Sequence, residues 1–500
     1  MSSIDVRIAA SLFESLPPLA WSARVRRGDE KLVLDHGAWV EVRSDAFFEG
    51  AWDGNFEEGH FGSAAMLVGS GGRIEGADIV FSAASSLLDR IYVMARPEEV
   101  LVSNSLAFLL AAADDEPDAD QPFYAGRLLE QALLGTRRSR RSLPMRRGTV
   151  QVFEAANLRV TPDLVLRREE RRIPAEPQTY EAYVDLVSGT IRDIIENAAD
   201  PRRVRPFRPL ATLSRGYDST AIAALAARSG CSQAVTFDVS PGPPPNGSDN
   251  GKVIGVHLGM DVEEYNATDY RRRPGIPEAE FCVHPPGWDV VFASMEETLP
   301  GRLLLTGWFG DESLTTDASG APPDLRHQTI RGLSGSSLSE FRLRVGFLNF
   351  SPLFVAAPHV AAVHRISRGD AMRPWRLGGS YDRPIARRIL EEAGVARELF
   401  GQQKMGGAYQ GLMRAEHLGE AGRADFAAFC EANAPAPGVT RRARWARSFE
   451  RRVRRVAVLA GHNPDHPLPQ LARFSRRLEE TLLFRWGVHS VKTRYALPRR

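Results

Sequence analysis

Short apolar runs separated by Gly and Asp turns fill the first 112 residues. Leu32-Val33-Leu34, Ile91-Tyr92-Val93-Met94 and Val100-Leu101-Val102 read as strands. From Tyr180 the period changes: Tyr183, Leu186, Ile191, Ile194 and Ile195 recur at helical spacing, so an amphipathic helix opens a second unit. Leu210-Ala211-Thr212-Leu213 is a brief apolar run that stops at Ser214-Arg215-Gly216. Thr220 to Arg228 follows as an alanine-rich helix closed by Gly230. Leu303-Leu304-Leu305 is a further buried-strand run, ending at Thr306-Gly307.

Charge runs mark the connections. The acidic stretch from Asp114 to Asp120 has no apolar period and reads as an exposed connection that interrupts the first unit. Phe123 to Leu134 has helical spacing, and the arginine cluster from Arg137 to Arg147 reads as a solvated loop, since no aromatics interleave it as they would in a nucleic-acid patch. In the tail, Trp445, Phe449 and Val453 recur among arginines from Arg441 to Arg455, the stripe of a helix packed on the body.

Composition adds limits. The 500 residues are 43% apolar, and a net charge of +2 supplies no global field toward nucleic acid or an anionic membrane. No run reaches transmembrane length, and the N-terminal residues lack a signal-peptide pattern, so a cytoplasmic protein without a membrane partner is expected. Cys231, Cys282 and Cys430 have neither zinc-site nor disulfide-framework spacing. Of 64 basic residues only Lys31, Lys252, Lys404 and Lys492 are lysines. A lysine kept in so arginine-rich a chain points to a site where a guanidinium does not fit.

The junction Leu213-Ser214-Arg215-Gly216-Tyr217-Asp218-Ser219 carries the sharpest chemistry. Backbone N–H groups and the positive end of a helix converge there, which suits a polyphosphate. Ser214 and Ser219 add hydroxyls, and Asp218 is a hard ligand for Mg²⁺. Asp311, after the second strand run, is placed to complete the same metal shell at the ligand crevice of an α/β sheet. Gly251-Lys252 and the glycines at 69, 71 and 72 fit neither a Walker loop nor a dinucleotide loop. His359 and His364 suit a helix face better than a metal site.

The sextet from Ser214 to Ser219 resembles the SGGxDS loop of N-type ATP pyrophosphatases, with Arg215 in place of a glycine. Thr306, Gly307, Asp311 and Glu312 resemble the TGxGxDE segment of the asparagine synthetase family. Gln402-Gln403-Lys404-Met405-Gly406 is similar to that family's KxG segment with its catalytic lysine, and Tyr381 to Ala386 to the helix before it. Leu143 to Gly148 and Val100 to Leu109 are similar to the end of its N-terminal glutaminase-type domain.

The resemblance implies a glutaminase-like (Ntn-type) α/β sandwich over residues 1–178. It is followed over 179–500 by an α/β synthetase domain with a parallel sheet, a pyrophosphate loop and a helical C-terminal region. ATP and Mg²⁺ are the implied cofactors, with Leu213 to Ser219, Phe237 and Gly307 on the nucleotide, Asp218 and Asp311 on the metal, and Lys404 catalytic.

Departures shape the expected activity. Ser2 stands where glutaminase chemistry in the family requires cysteine, so the amine is not expected to come from glutamine. The family's ExRxPFLD segment survives only as Leu348 to Phe354, without its charged members. Trp308 occupies the position near the amine where relatives carry Glu or Tyr, so either another group, for example Glu340, serves as base or the amine needs little help; Glu340 also reads as a solvated surface carboxylate. These features imply an AMP-forming ligase joining a carboxylate to an amine through an acyl adenylate, like the β-lactam and lasso-peptide macrolactam synthetases. A precursor peptide and a biosynthetic partner protein belong to that reading, with which Leu482 to Tyr495 is compatible. The alternative is a degenerate ATP-binding or scaffold protein.

Overall fold

The computed structural model describes residues 6–121, 124, 127–128, 142–239, 248–316, 334–379, 381–402, 404, 411–433 and 478–496. Most of the Phe123–Leu134 segment, the tail from Arg441 to Arg455, and residues 403, 405 and 406 lie outside them. The fold is mixed α/β with three sheets among the described residues.

The two N-terminal sheets are antiparallel apart from one parallel pair. Seven strands run in the spatial order Arg7–Leu12, Lys31–His36, Trp21–Arg26, Glu99–Ser103, Ile91–Arg96, Thr149–Phe153 and Ser142–Pro144, the first two parallel. Six more, from Leu166–Glu170 through Leu67–Glu75 to Glu41–Val42, form the second sheet. Alternating side chains from both fill one hydrophobic core, in which Trp21 meets Phe47 edge-on at 5.0 Å and stacks on Phe81 at 6.1 Å.

The third sheet is all parallel, in the order Asp261–Asn266, Gln233–Val239, Arg208–Thr212, Arg302–Leu305, Leu348–Phe350. The chain enters at Arg208–Thr212, steps outward twice on one side, then returns to add two strands on the other. A crevice therefore opens between the ends of Arg208–Thr212 and Arg302–Leu305, where strand order reverses.

Helix Tyr180–Ala198 starts at Thr179, whose hydroxyl accepts from the Ala182 N–H. It buries the expected stripe of Tyr183, Ile191, Ile194 and Ile195, touching both the Ala46–Trp52 strand and helix Asp218–Arg228, so one continuous core joins the sandwich to the parallel sheet. The described C-terminal helix, Leu478–Lys492, packs on Glu278–Cys282 and on Leu106–Ala112. No helix among the described residues is long and apolar enough to cross a membrane.

Charged residues cement the junction. Arg342, fully buried, makes a two-pronged bond to Glu49 (2.7 and 3.0 Å) and a third bond to Asp89 (2.9 Å), reaching across more than 250 residues of chain. The acidic stretch is exposed at Asp114, Glu116, Ala119 and Asp120, as expected of a connection, with one buried acid as the exception. Asp115 is buried and accepts the Arg147 N–H at 3.0 Å, while Asp114 and Glu116 pair with Arg147 and Arg146. Complementary charge thus pairs this end of the arginine cluster with the acids at the surface.

Candidate nucleotide site

Local bonding fixes the turn after Arg208–Thr212. The Leu213 N–H donates to the Val235 carbonyl at 2.8 Å, and the Thr236 hydroxyl donates to the Leu213 carbonyl at 2.9 Å. Ser214 Oγ accepts the Gly216 N–H at 3.0 Å and lies 2.8 Å from Ser219 Oγ, so the loop's two serine hydroxyls face each other. Thr220 Oγ1 donates to the Ser214 carbonyl at 2.8 Å. Helix Asp218–Arg228 then begins, and its first-turn N–H groups have no partner within the helix.

The Arg215 backbone is committed on both sides. Its N–H donates to Asp249 Oδ1 at 3.0 Å, its carbonyl accepts from the Gly401 N–H at 2.8 Å, and its residue surface is exposed.

The second strand delivers Asp311 to the same place because glycines allow close approach. A Cβ on Gly307 would land on the Ser219 nitrogen and the Asp218 backbone, and one on Gly310 would land on the Asp218 side chain. Between them Phe309 has φ +71°, the left-handed region, with its ring stacked on Phe354 at 4.7 Å. Ser351 Oγ donates to the Trp308 carbonyl at 2.6 Å, and a ring nitrogen of His364 lies 2.8 Å from the Glu312 carbonyl, bracing the turn.

Two cations converge on Asp311. Lys404 Nζ donates to both of its oxygens, at 2.6 and 2.7 Å, and Arg383 donates to one at 3.2 Å. Asp218 feels the same two cations only at a distance: its Oδ1 is buried without a hydrogen-bond partner, as is Arg383 Nε. Burial and the neighbouring Asp311 charge push the Asp218 carboxyl up to about 7. Burial acts the same way on Asp311, but Lys404 and Arg383 outweigh it and hold that carboxyl below its ordinary value. An unpartnered, poorly solvated carboxylate oxygen beside a second carboxylate suits a hard cation. Among the described residues no group of three or more His, Cys, Asp or Glu forms a metal cluster, so phosphate oxygens would have to supply the rest of such a shell.

No protein-family model matches the chain, and no curated protein matches it either. The site therefore rests on its own geometry.

That geometry gathers most of the residues expected from sequence. Leu213 to Ser219, Gly307, Asp311 and Lys404 meet at the crevice. Phe237 sits half-buried near the end of the adjoining strand, its ring edge-on to Phe292 at 5.9 Å, and Phe292 in turn meets Trp308 at 5.7 Å. These three aromatics make a wall beside the loop.

Glu340 is elsewhere in role. It is 2% exposed, so it is no surface carboxylate; it accepts from Ser105 Oγ at 2.8 and 2.9 Å and from the Tyr495 hydroxyl at 3.3 Å, at the start of helix Leu106–Ala112. Its hydrogen-bonding partners tie the sandwich to the C-terminal helix. Burial raises its carboxyl to about 7.

Three contributors escape sequence reasoning: Asp249, which holds the Arg215 N–H; Arg383, which holds Asp311; and Arg387, bonded to the Tyr217 hydroxyl and, at 3.2 Å, to Asp382. Arg383 and Arg387 lie at and just inside the start of helix Pro384–Glu392, in a segment already singled out for its resemblance. No spacing rule connects them to a loop some 170 residues earlier.

Proposed function

We propose that the chain is an ATP-dependent, AMP-forming amide ligase on the asparagine synthetase plan. In this reading residues 1–178 form an Ntn-type glutaminase-like domain without glutaminase chemistry, and 179–500 form the synthetase domain. The observation that carries it is the convergence of three separate segments at the reversal of a parallel sheet: the Ser214–Ser219 loop, Asp311 and Lys404.

The first-turn N–H groups and the facing Ser214 and Ser219 hydroxyls would cradle the pyrophosphate portion of ATP. Asp218, through its unpartnered oxygen, would be the first ligand for Mg²⁺, with Asp311 second. The metal would neutralise charge on the phosphates. Lys404 rests on Asp311, a position from which its ammonium can meet charge developing as a substrate carboxylate attacks the α-phosphorus and the bond to the β-phosphate breaks, releasing pyrophosphate. An amine then displaces AMP from the acyl adenylate. Glu340 is engaged by Ser105 and Tyr495, which supports leaving the role of base to another group.

A second reading, a binding protein that keeps the site without turnover, is favoured by specific departures. Phe309 holds a left-handed turn, the Arg215 N–H is committed to Asp249, and Trp308 offers no proton acceptor. Isothermal titration with ATP·Mg²⁺ alongside pyrophosphate release in the presence of candidate carboxylates and amines separates the two. Binding without release across the panel would favour the second, and absence of binding would refute both.

A further inference from the structure

Tyr381 stands over the loop without belonging to it. A Cβ built on Gly216 would lie 3.2 Å from Ser214 Oγ and 3.5 Å from the Tyr381 hydroxyl oxygen, so the gap between loop and hydroxyl is about one atom deep. The Tyr381 ring meets that of Tyr217, itself buried in the loop, at 5.0 Å. Lys404 Nζ and Arg383 Cζ, the two cations that hold Asp311, each lie 5.6 Å from the Tyr381 ring centre. One half-buried side chain thus touches the loop, the lysine and the arginine together.

We propose that Tyr381 is a polyphosphate-binding and positioning residue: its hydroxyl donates to the phosphates held by Ser214–Ser219, and its ring keeps Lys404 and Arg383 aimed at them. Burial and the charges of Asp218, Asp311 and Asp249 push its phenol well above the ordinary value, so the group remains an O–H donor across the physiological range. A phosphate oxygen is the acceptor such a donor suits, and any phosphate resting on the Gly216 backbone comes within its reach. Phenylalanine would preserve the ring's contacts with Tyr217, Lys404 and Arg383. The hydroxyl and the ring can therefore be tested separately.

The inference rests on the nucleotide reading of the site. Its test uses the full chain and two variants, Tyr381→Phe and Tyr381→Leu, titrated with ATP·Mg²⁺, with Mg²⁺ pyrophosphate and with AMP. Tyr381→Phe is expected to lose about tenfold in affinity for ATP and pyrophosphate, and Tyr381→Leu about a hundredfold, with AMP binding unchanged in both. Wild-type affinity for ATP and pyrophosphate in Tyr381→Phe would overturn the proposal, as would an equal loss for AMP, which marks a merely structural role. Wild-type protein that binds neither ATP nor pyrophosphate would overturn the nucleotide reading itself. Thermal melts check folding, and should the leucine variant fail to fold, the phenylalanine variant decides.

Discussion

Replacing Asp218 with Asn removes a charge that the fold holds at a cost. The carboxyl titrates near 3.8 in an unfolded chain and is raised to about 7 in the folded one by burial and Asp311. Between those values the folded protein keeps a proton that the unfolded chain has released. The contribution to stability is thus complete below 3.8 and is lost as pH rises through about 7. At ~1.36 kcal/mol per tenfold change in proton affinity, the difference is worth roughly 4 kcal/mol. Oδ1 is sealed but the residue as a whole is only half-buried, so solvent screening trims the figure to about 2–3 kcal/mol. Asparagine cannot ionise and escapes the penalty. With an unfolding entropy of roughly 1 kcal/mol/K for a chain of this length, Asp218→Asn should therefore melt about 2–3 °C above wild type at pH 8, with the advantage fading toward pH 4, while Mg²⁺-dependent ATP use is lost. Thermal melts across pH 4–8 measure this without a substrate. A difference in melting temperature that stays the same from pH 4 to 8 would refute the buried-charge argument.

Lys404→Arg should be nearly as damaging as Lys404→Ala, each lowering pyrophosphate release by ~10² or more, because a guanidinium is too broad for the place an ammonium takes between Asp311 and the loop. Lys252→Arg, at an exposed pair with Glu264, should change the same assay little. Gly310→Ala would drive a methyl into the Asp218 side chain, costing about 1–3 kcal/mol in chemical denaturation and weakening ATP·Mg²⁺ binding; unaltered titration would show that Asp218 need not sit where it does. Glu340→Ala leaves Ser105 and Tyr495 without their acceptor and should cost about 1–2 kcal/mol of stability with ATP affinity intact, so loss of ATP binding in a folded variant would return Glu340 to the site.

Local pattern carried the sequence reading wherever a side chain's neighbours are close along the chain. The stripe of Tyr183, Ile191, Ile194 and Ile195, the strand–loop–helix at Leu210 to Arg228 and the strand Arg302–Leu305 are all governed by periods of two or 3.6 and by turn chemistry. Lys404 stood out because arginine had displaced lysine almost everywhere else. Glu340 was misjudged since its surroundings come from Ser105 and Tyr495, 235 and 155 residues distant, and nothing local distinguishes a buried acceptor from a solvated acid. Asp249 and Arg383 likewise gain their meaning only when the sheet brings its strand ends together. Phe309 was hidden for another reason: its left-handed backbone is ordinarily glycine's, and the Phe354 ring that holds it lies beyond the following strand.

The three-way bonding of Arg342 with Glu49 and Asp89 bears on how this protein can change over time. Each partner alone would be a bare charge in a dry interior, a loss on the order of 3–5 kcal/mol, so none can be discarded before the others. The sandwich is thereby ratcheted to the parallel-sheet half. Even if drift erased every chemical task from the sandwich, deletion would strip the parallel-sheet half of its counter-ions and much of its core, and selection for that half would go on preserving the sandwich.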